Sequence, residues 1–136
     1  MASPHAACSV GSMPHVFPDL SQLPAPSPVM LTPAERIGEP SQNRLVHGEN
    51  LGVLAALPDA SVQAVYIDPP YNTGTDFQHY TDARSRREWL AFMAARLVQL
   101  HRLLRPSGSL FVQVDDNEVD YRRVLLDQIF GEDALV

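Results

Sequence analysis

Lysine is absent from this chain of 136 residues, and cysteine occurs only once, as Cys8. A lone cysteine rules out an internal disulfide framework and a Cys-ligated zinc site. His47, His79 and His101 have no ligand-like spacing, so no metal site is expected. All ten basic residues are arginines, they form no basic run, and the net charge is −6. This segment alone is therefore not expected to grip a phosphate backbone strongly. No apolar run approaches the ~20 residues that a membrane span requires. Prolines interrupt the N-terminus where a signal peptide would need an apolar core. A soluble, cytoplasmic protein with no membrane partner is the expectation. The seven glycines are Gly11, Gly38, Gly48, Gly52, Gly74, Gly108 and Gly131, and no two are separated by a single residue. The chain therefore contains no Gly-x-Gly.

Proline is abundant but unevenly placed. Eight of the 12 prolines precede residue 43, in a stretch with few large apolar residues and no repeated apolar face. Such a segment cannot bury enough surface to offset the entropy of ordering, so 1–42 is expected to be disordered. The foldable part is 43–136, a marginal length for an independent core.

From Arg44 the pattern changes. Asn50 or Glu49 can cap a short helix with Leu51, Val53, Leu54 and Leu57 as its apolar stripe, ended by Pro58-Asp59. The run 62–67 reads as a buried strand of parallel-sheet type. A polar loop follows from Asn72 to about Arg84. Ser85 and Glu88 fit a capping box for a long helix over 86–105, whose stripe is Trp89, Met93, Leu97, Leu100 and Leu104. Pro106-Ser107-Gly108 stops it, and 109–114 is a second strand. A last helix spans about 118–130, with Gly131 as its C-cap. Arg84, Arg86 and Arg87 read as a solvated face at a helix start. Arg96, Arg102 and Arg105 suit the dipole at that helix's C-terminal end. Strand, crossover helix and strand imply parallel neighbours and a right-handed connection. In such sheets ligands bind beyond the carboxyl ends of the strands, where the polar clusters 68–74 and 115–118 both fall.

The first cluster begins Asp68-Pro69-Pro70-Tyr71, directly after the predicted strand. An exocyclic amine on a nucleobase is a poor nucleophile because its lone pair is delocalised into the ring. Methylating it requires acceptors for both N–H hydrogens. Asp68 can supply one, and the Pro69 carbonyl the other, since proline has no N–H of its own to satisfy. Pro70 stiffens the turn and preorganises those oxygens. Tyr71 offers a ring on which an extruded base can stack. No cysteine lies in 43–136, so a ring-carbon cytosine methylase, which needs a thiol nucleophile, does not fit. The bland alternative is a rigid strand-to-loop turn, because prolines commonly end strands.

The seven residues 68–74, the segment Trp89-Leu90-Ala91-Phe92-Met93 and the stretch 104–118 together resemble the N-terminal part of the adenine-N6 DNA methyltransferases. The group typified by the modification subunits of type III restriction systems is the most similar. His47-Gly48-Glu49-Asn50-Leu51 and Ile129-Phe130-Gly131 are similar to further segments of that group. The resemblance covers about 45–136. It implies an α/β, partial doubly wound, Rossmann-like methyltransferase fold that uses S-adenosylmethionine to methylate a flipped adenine in DNA. It implies that Asp68, Pro69 and Tyr71 engage the amine and base, with Asp68 also shared with the cofactor. Pro70 then shapes the turn, and Asn72, Thr73 and Gly74 form the loop beside the pocket. Asp115 and Asp116 can line the same site, or Asp116 or Asn117 can cap the next helix with Glu118 at its favourable dipole end.

One departure matters. In that group a target-recognition region and a Phe-x-Gly-x-Gly cofactor loop follow the Asp-Pro-Pro-Tyr motif, and this sequence has no such loop. The expectation is a truncated methylase domain with little activity alone, partnered by DNA and by a complementing methylase segment or a restriction subunit. Two alternatives stand beside it. One is cytosine-N4 or other amino methylation, although Asp68 leans toward adenine. The other is an inactive fragment or interaction module.

Overall fold

The computed structural model describes residues 16–32, 45–70, 76–77, 80–81, 85–114 and 119–135. In chain order its elements are α1 (Asn50–Ala55), β1 (Val62–Ile67), β2 (Asp76–Phe77), β3 (Tyr80–Thr81), α2 (Arg86–Leu103), β4 (Leu104–Val112) and α3 (Val119–Phe130). Single 3-10 turns lie at Leu20–Gln22 and Glu132–Ala134.

α2 is the centre of the packing. Ser85 and Glu88 form the predicted capping box: the Ser85 side chain accepts from the Glu88 N–H, and the Glu88 carboxylate accepts from the Ser85 N–H at 2.9 Å. Two orphan donors of the first turn are thereby satisfied. The apolar stripe then buries Trp89, Leu90, Met93, Ala94, Leu97 and Leu100, joined by Leu125 of α3. At about 25 cal/mol per Å² of apolar surface, this stripe is the main source of stability.

Two arginines of α2 reach sideways and hold α1. Arg96 donates to Glu49 Oε1 at 2.7 Å and to Asn50 Oδ1 at 2.9 Å. Arg102 donates to the carbonyls of Leu54 and Leu57 at 2.8 and 3.0 Å, satisfying the end of α1, and also to Asp59. Electrostatics along their own helix therefore does not account for these two residues; they tie two helices together. Arg86 is likewise not merely solvated, since its guanidinium lies 4.2 Å from the Tyr121 ring centroid.

β1 and β4 pair in parallel, as the sequence predicts, with Ala64↔Ser109, Val65↔Leu110, Tyr66↔Phe111 and Ile67↔Val112 opposite one another. The junction with α2 differs from expectation. β4 starts at once after the helix, Val62 pairs with Leu104, and 105–108 bulges out before regular pairing resumes. Gly108 permits this, because a Cβ there would sit 3.0 Å from the Gln63 carbonyl and 2.9 Å from Leu104 Cδ2. The chain called a polar loop contains the short antiparallel pair β2–β3. α3 ends at Gly131, whose φ is +92° and whose N–H bonds to the Asp127 carbonyl at 2.9 Å, in keeping with the predicted cap.

Part of the proline-rich N-terminal stretch, 16–32, lies against the core. Asp19 caps the first 3-10 turn, Phe17, Leu20 and Leu23 pack against the core, and the Val29 N–H bonds to the Gly52 carbonyl at 3.2 Å. The segment needs no core of its own because it borrows the one built by α2 and α3. Its prolines also lower the entropy lost on docking.

β1 is not buried on both faces. Val65, Ile67, Leu110, Val112 and Val114 pack on the helical core, whereas Tyr66 and Phe111 are 65% and 57% exposed. Among the described residues β1 has β4 as its one neighbour, so its other edge is open. The architecture is thus a mixed helix–strand unit with a parallel two-stranded sheet covered on one face. No helix among the described residues is long and apolar enough to cross a membrane.

Candidate active site

The strand pairing delivers the Asp68-Pro69-Pro70 corner. The Gln113 N–H donates to the Ile67 carbonyl at 3.0 Å, so the ladder runs to the last residue before Asp68. Asp68 is exposed, while Pro69 and Pro70 are half-buried. Neither proline can donate a backbone hydrogen bond, so the turn cannot tie itself back to the sheet through its own N–H groups.

The tie comes from α2. The indole N–H of Trp89, a residue with no exposed surface, donates to the Pro70 carbonyl at 2.7 Å. A buried indole donor left without a partner costs about 1–3 kcal/mol, so the bond favours one setting of the corner. With the Pro70 carbonyl engaged, the Pro69 carbonyl is the one left available, and no donor among the described residues reaches it. The Trp89 backbone N–H is itself held by the Ser85 carbonyl at 2.9 Å, so the capping box fixes the register of the indole.

Asp68, Pro69 and Pro70 form one end of an open groove of about 580 Å³ between β1, α1 and α2. Its floor is mostly apolar, with Leu54, Val65, Phe92 and Leu100 among its walls. Asn50 and Arg96 provide the polar side. The Arg96 guanidinium lies 3.5 Å from the Phe92 ring centroid, and its bonds to Glu49 and Asn50 hold it along the wall. On the far side of the sheet's carboxyl end, Arg122 donates to the Val112 carbonyl at 2.9 Å. Burial pushes its guanidinium pKa below the ordinary value. Its Nε is buried without a partner among the described residues.

Of the residues singled out from sequence, Asp68, Pro69 and Pro70 stand together at the groove's end. Tyr71, Asn72, Thr73 and Gly74 lie outside the described residues, as do Asp115 and Asp116. No group of three His, Cys, Asp or Glu side chains among the described residues is arranged to hold a metal ion. Sequence reasoning missed two residues of the site. Trp89 entered as a member of an apolar stripe and of a segment that resembles the family, without a role in the site, and Arg96 only as a helix-end cation. No spacing signal links Trp89 to Pro70, which lies 19 residues earlier.

Comparison with known proteins fits this geometry. The chain is 42% identical over 99 residues to the probable type III restriction-modification enzyme HindVI Mod subunit of Haemophilus influenzae, covering 71% of this chain and 13% of that protein. It is 34% identical over 100 residues to the type II methyltransferase M.KpnI of Klebsiella pneumoniae, covering 65% of this chain and 24% of the relative. It is 34% identical over 127 residues to the StyLTI Mod subunit of Salmonella typhimurium, covering 71% of this chain and 20% of the relative. The chain thus spans only a minor part of the length of these relatives. The DNA methylase family profile matches residues 62–136, from the first residue of β1 onward. That match takes in the strand, the acidic corner and the helix that ties it, and it establishes that this chain belongs to the DNA methylase family.

Proposed function

We propose that this chain carries the amine-binding corner of a site-specific adenine-N6 DNA methyltransferase. The observation that carries the reading is the corner itself: an exposed Asp68 and a Pro69 carbonyl that no donor among the described residues reaches, side by side at the end of a parallel strand and opening on a groove. Asp68 and the Pro69 carbonyl accept the two amine hydrogens, drawing the lone pair out of the ring. Tyr71, next in sequence, stacks on the flipped base, and Asn72, Thr73 and Gly74 complete the wall. The family and the likeness to Mod subunits support DNA as the substrate and a restriction subunit as a partner. They also support a cytoplasmic location.

S-adenosylmethionine, when bound, supplies a sulfonium-activated methyl group. The described residues give it one wall and no cradle. Gly52 and Gly108 are packed against the chain's own atoms, and the sequence has no Gly-x-Gly. We therefore assign this chain the acceptor side alone, with Asp68 bordering the donor. A complementing methylase segment brings the donor pocket, either on the same polypeptide or on another. The open edge of β1, the apolar groove beside it and the exposed Tyr66–Phe111 face support that seat, since parallel sheets are covered on both faces. Completed in this way, the unit becomes a doubly wound, Rossmann-like sheet.

The test is transfer of a labelled methyl group to DNA, followed by nucleoside mass spectrometry, with the chain alone and with a cofactor-bearing segment of a Mod relative. The reading predicts N6-methyladenine only in the complemented sample. N4-methylcytosine would move the assignment to the other base, and methylation by the chain alone would remove the need for a second half.

A further inference from the structure

The two prolines fix their own φ, yet among the described residues no N–H of the turn ties its carbonyls to the sheet. Pro69 and Pro70 bring no N–H groups, and β1 ends at Ile67. The prolines leave ψ free, and ψ aims the two carbonyls, so a bond from beyond the turn can set their direction. The one side chain among the described residues that bonds to either carbonyl is Trp89, which is wholly buried in the first turn of α2. We infer that Trp89 is a positioning residue for methyl transfer: its indole N–H fixes the peptide plane at the Pro70 carbonyl and so leaves the Pro69 carbonyl as the acceptor for the amine. This role rests on the proposed function above.

The chemistry makes the choice of carbonyl consequential. Proline carbonyls in succession point in different directions, and an amine hydrogen needs one of them at hydrogen-bond distance with the lone pair aimed at the donor. A free Pro70 carbonyl would compete for the same hydrogen, or the turn would rotate between two settings. A 2.7 Å bond from a buried, immobile donor removes that freedom. The Trp89 backbone is held by its N–H bond to the Ser85 carbonyl, beside the capping box, and its side chain belongs to the buried core with Met93. The order of the catalytic corner is thus set by a helix start rather than by the loop.

Trp89 is the only tryptophan in the chain. Benzothienylalanine, in which sulfur replaces the N–H, can therefore be placed at 89 alone by supplying it to a tryptophan auxotroph. The modified chain keeps its shape and loses only the donor. In the complemented assembly, kcat for methyl transfer is expected to fall roughly 10- to 100-fold, with KM for DNA and for the donor nearly unchanged and the thermal midpoint preserved. An unchanged kcat overturns the proposal. So does a kcat loss that follows a matching loss of thermal stability, which a purely structural tryptophan would give. In the unmodified chain, the single indole N–H resonance should show a through-bond coupling to the labelled Pro70 carbonyl carbon. If that coupling is absent while the unmodified assembly methylates DNA, only the Trp89 role fails. If the coupling is present and the assembly methylates nothing, the functional reading fails and takes the role with it.

Discussion

The two faces of the β1–β4 sheet both carry large apolar residues, yet these meet different fates. Val65, Ile67, Leu110 and Val112 lie against the helical core, while Tyr66 and Phe111, one position along each strand, remain more than half exposed. A strand has a side-chain period of two, so neighbouring residues must face opposite ways. Strands that alternate polar and apolar suit one covered face; strands apolar on both sides suit a sheet sandwiched between layers. The inner face is finished by residues of this chain. The outer face leaves two aromatic rings in solvent beside Ser109 and Gln113.

That contrast is open to attack from both sides. The largest effect is expected inside: Leu97→Ala, at a position with no exposure, should cost about 3–4 kcal/mol and take much of the cooperative urea transition with it. The matching change outside, Tyr66→Lys with Phe111→Glu, an opposite-charge pair across the strands, should leave the free chain within about 1 kcal/mol of its parent by the same denaturation. It should also weaken association with a complementing segment tenfold or more by titration calorimetry. Equal affinity for parent and double variant would mean that the outer face is simply solvated. Next in size is Arg102→Met, which removes the donors to the Leu54 and Leu57 carbonyls. It should loosen α1 and lower stability by about 1–2 kcal/mol, with hydrogen exchange in 50–57 rising before that in α2.

The smallest effect is at the N-terminal segment. The Ser21 hydroxyl, and then the Ser21 N–H, hold the Asp19 carboxyl below its ordinary value of 3.8. Because the folded value is depressed, the cap's contribution is complete above the unfolded value and is lost as pH falls through the lower, folded one. Acid should therefore loosen the Phe17–Tyr121 contact before it unfolds α2, which ring proton shifts would report.

Local chemistry made much of this legible. The capping box needs only Ser85 and Glu88 three residues apart, and the stripe from Trp89 to Leu100 needs only helical periodicity. The strand before Asp68 needs a short β-branched run bounded by breakers. What escaped was information carried between distant segments. A proline-rich stretch with Phe17, Leu20 and Leu23 has no core of its own, and nothing in its composition marks the α2–α3 surface it packs against. The bond from Trp89 to Pro70 joins a stripe residue to a carbonyl that every peptide unit has, so no residue type marks it. Arg96 and Arg102 sit where a helix dipole already accounts for cations, and this hid their reach to α1. In the candidate site, the sequence places Asp68, Pro69 and Pro70 directly after the strand and offers the Pro69 carbonyl as acceptor; the bond that occupies the Pro70 carbonyl was not readable.

We propose that Asp68 in this corner accepts an amine hydrogen during methyl transfer to adenine. The most direct test is the rate of N6-methyladenine formation by the complemented assembly carrying Asp68 or Asp68→Ala, with each chain's thermal midpoint measured alongside. Asp68 is exposed at the groove's end. The expected result is therefore a loss of about 100-fold or more in methylation with stability unchanged. Methylation at the parent rate by the alanine variant would contradict the account.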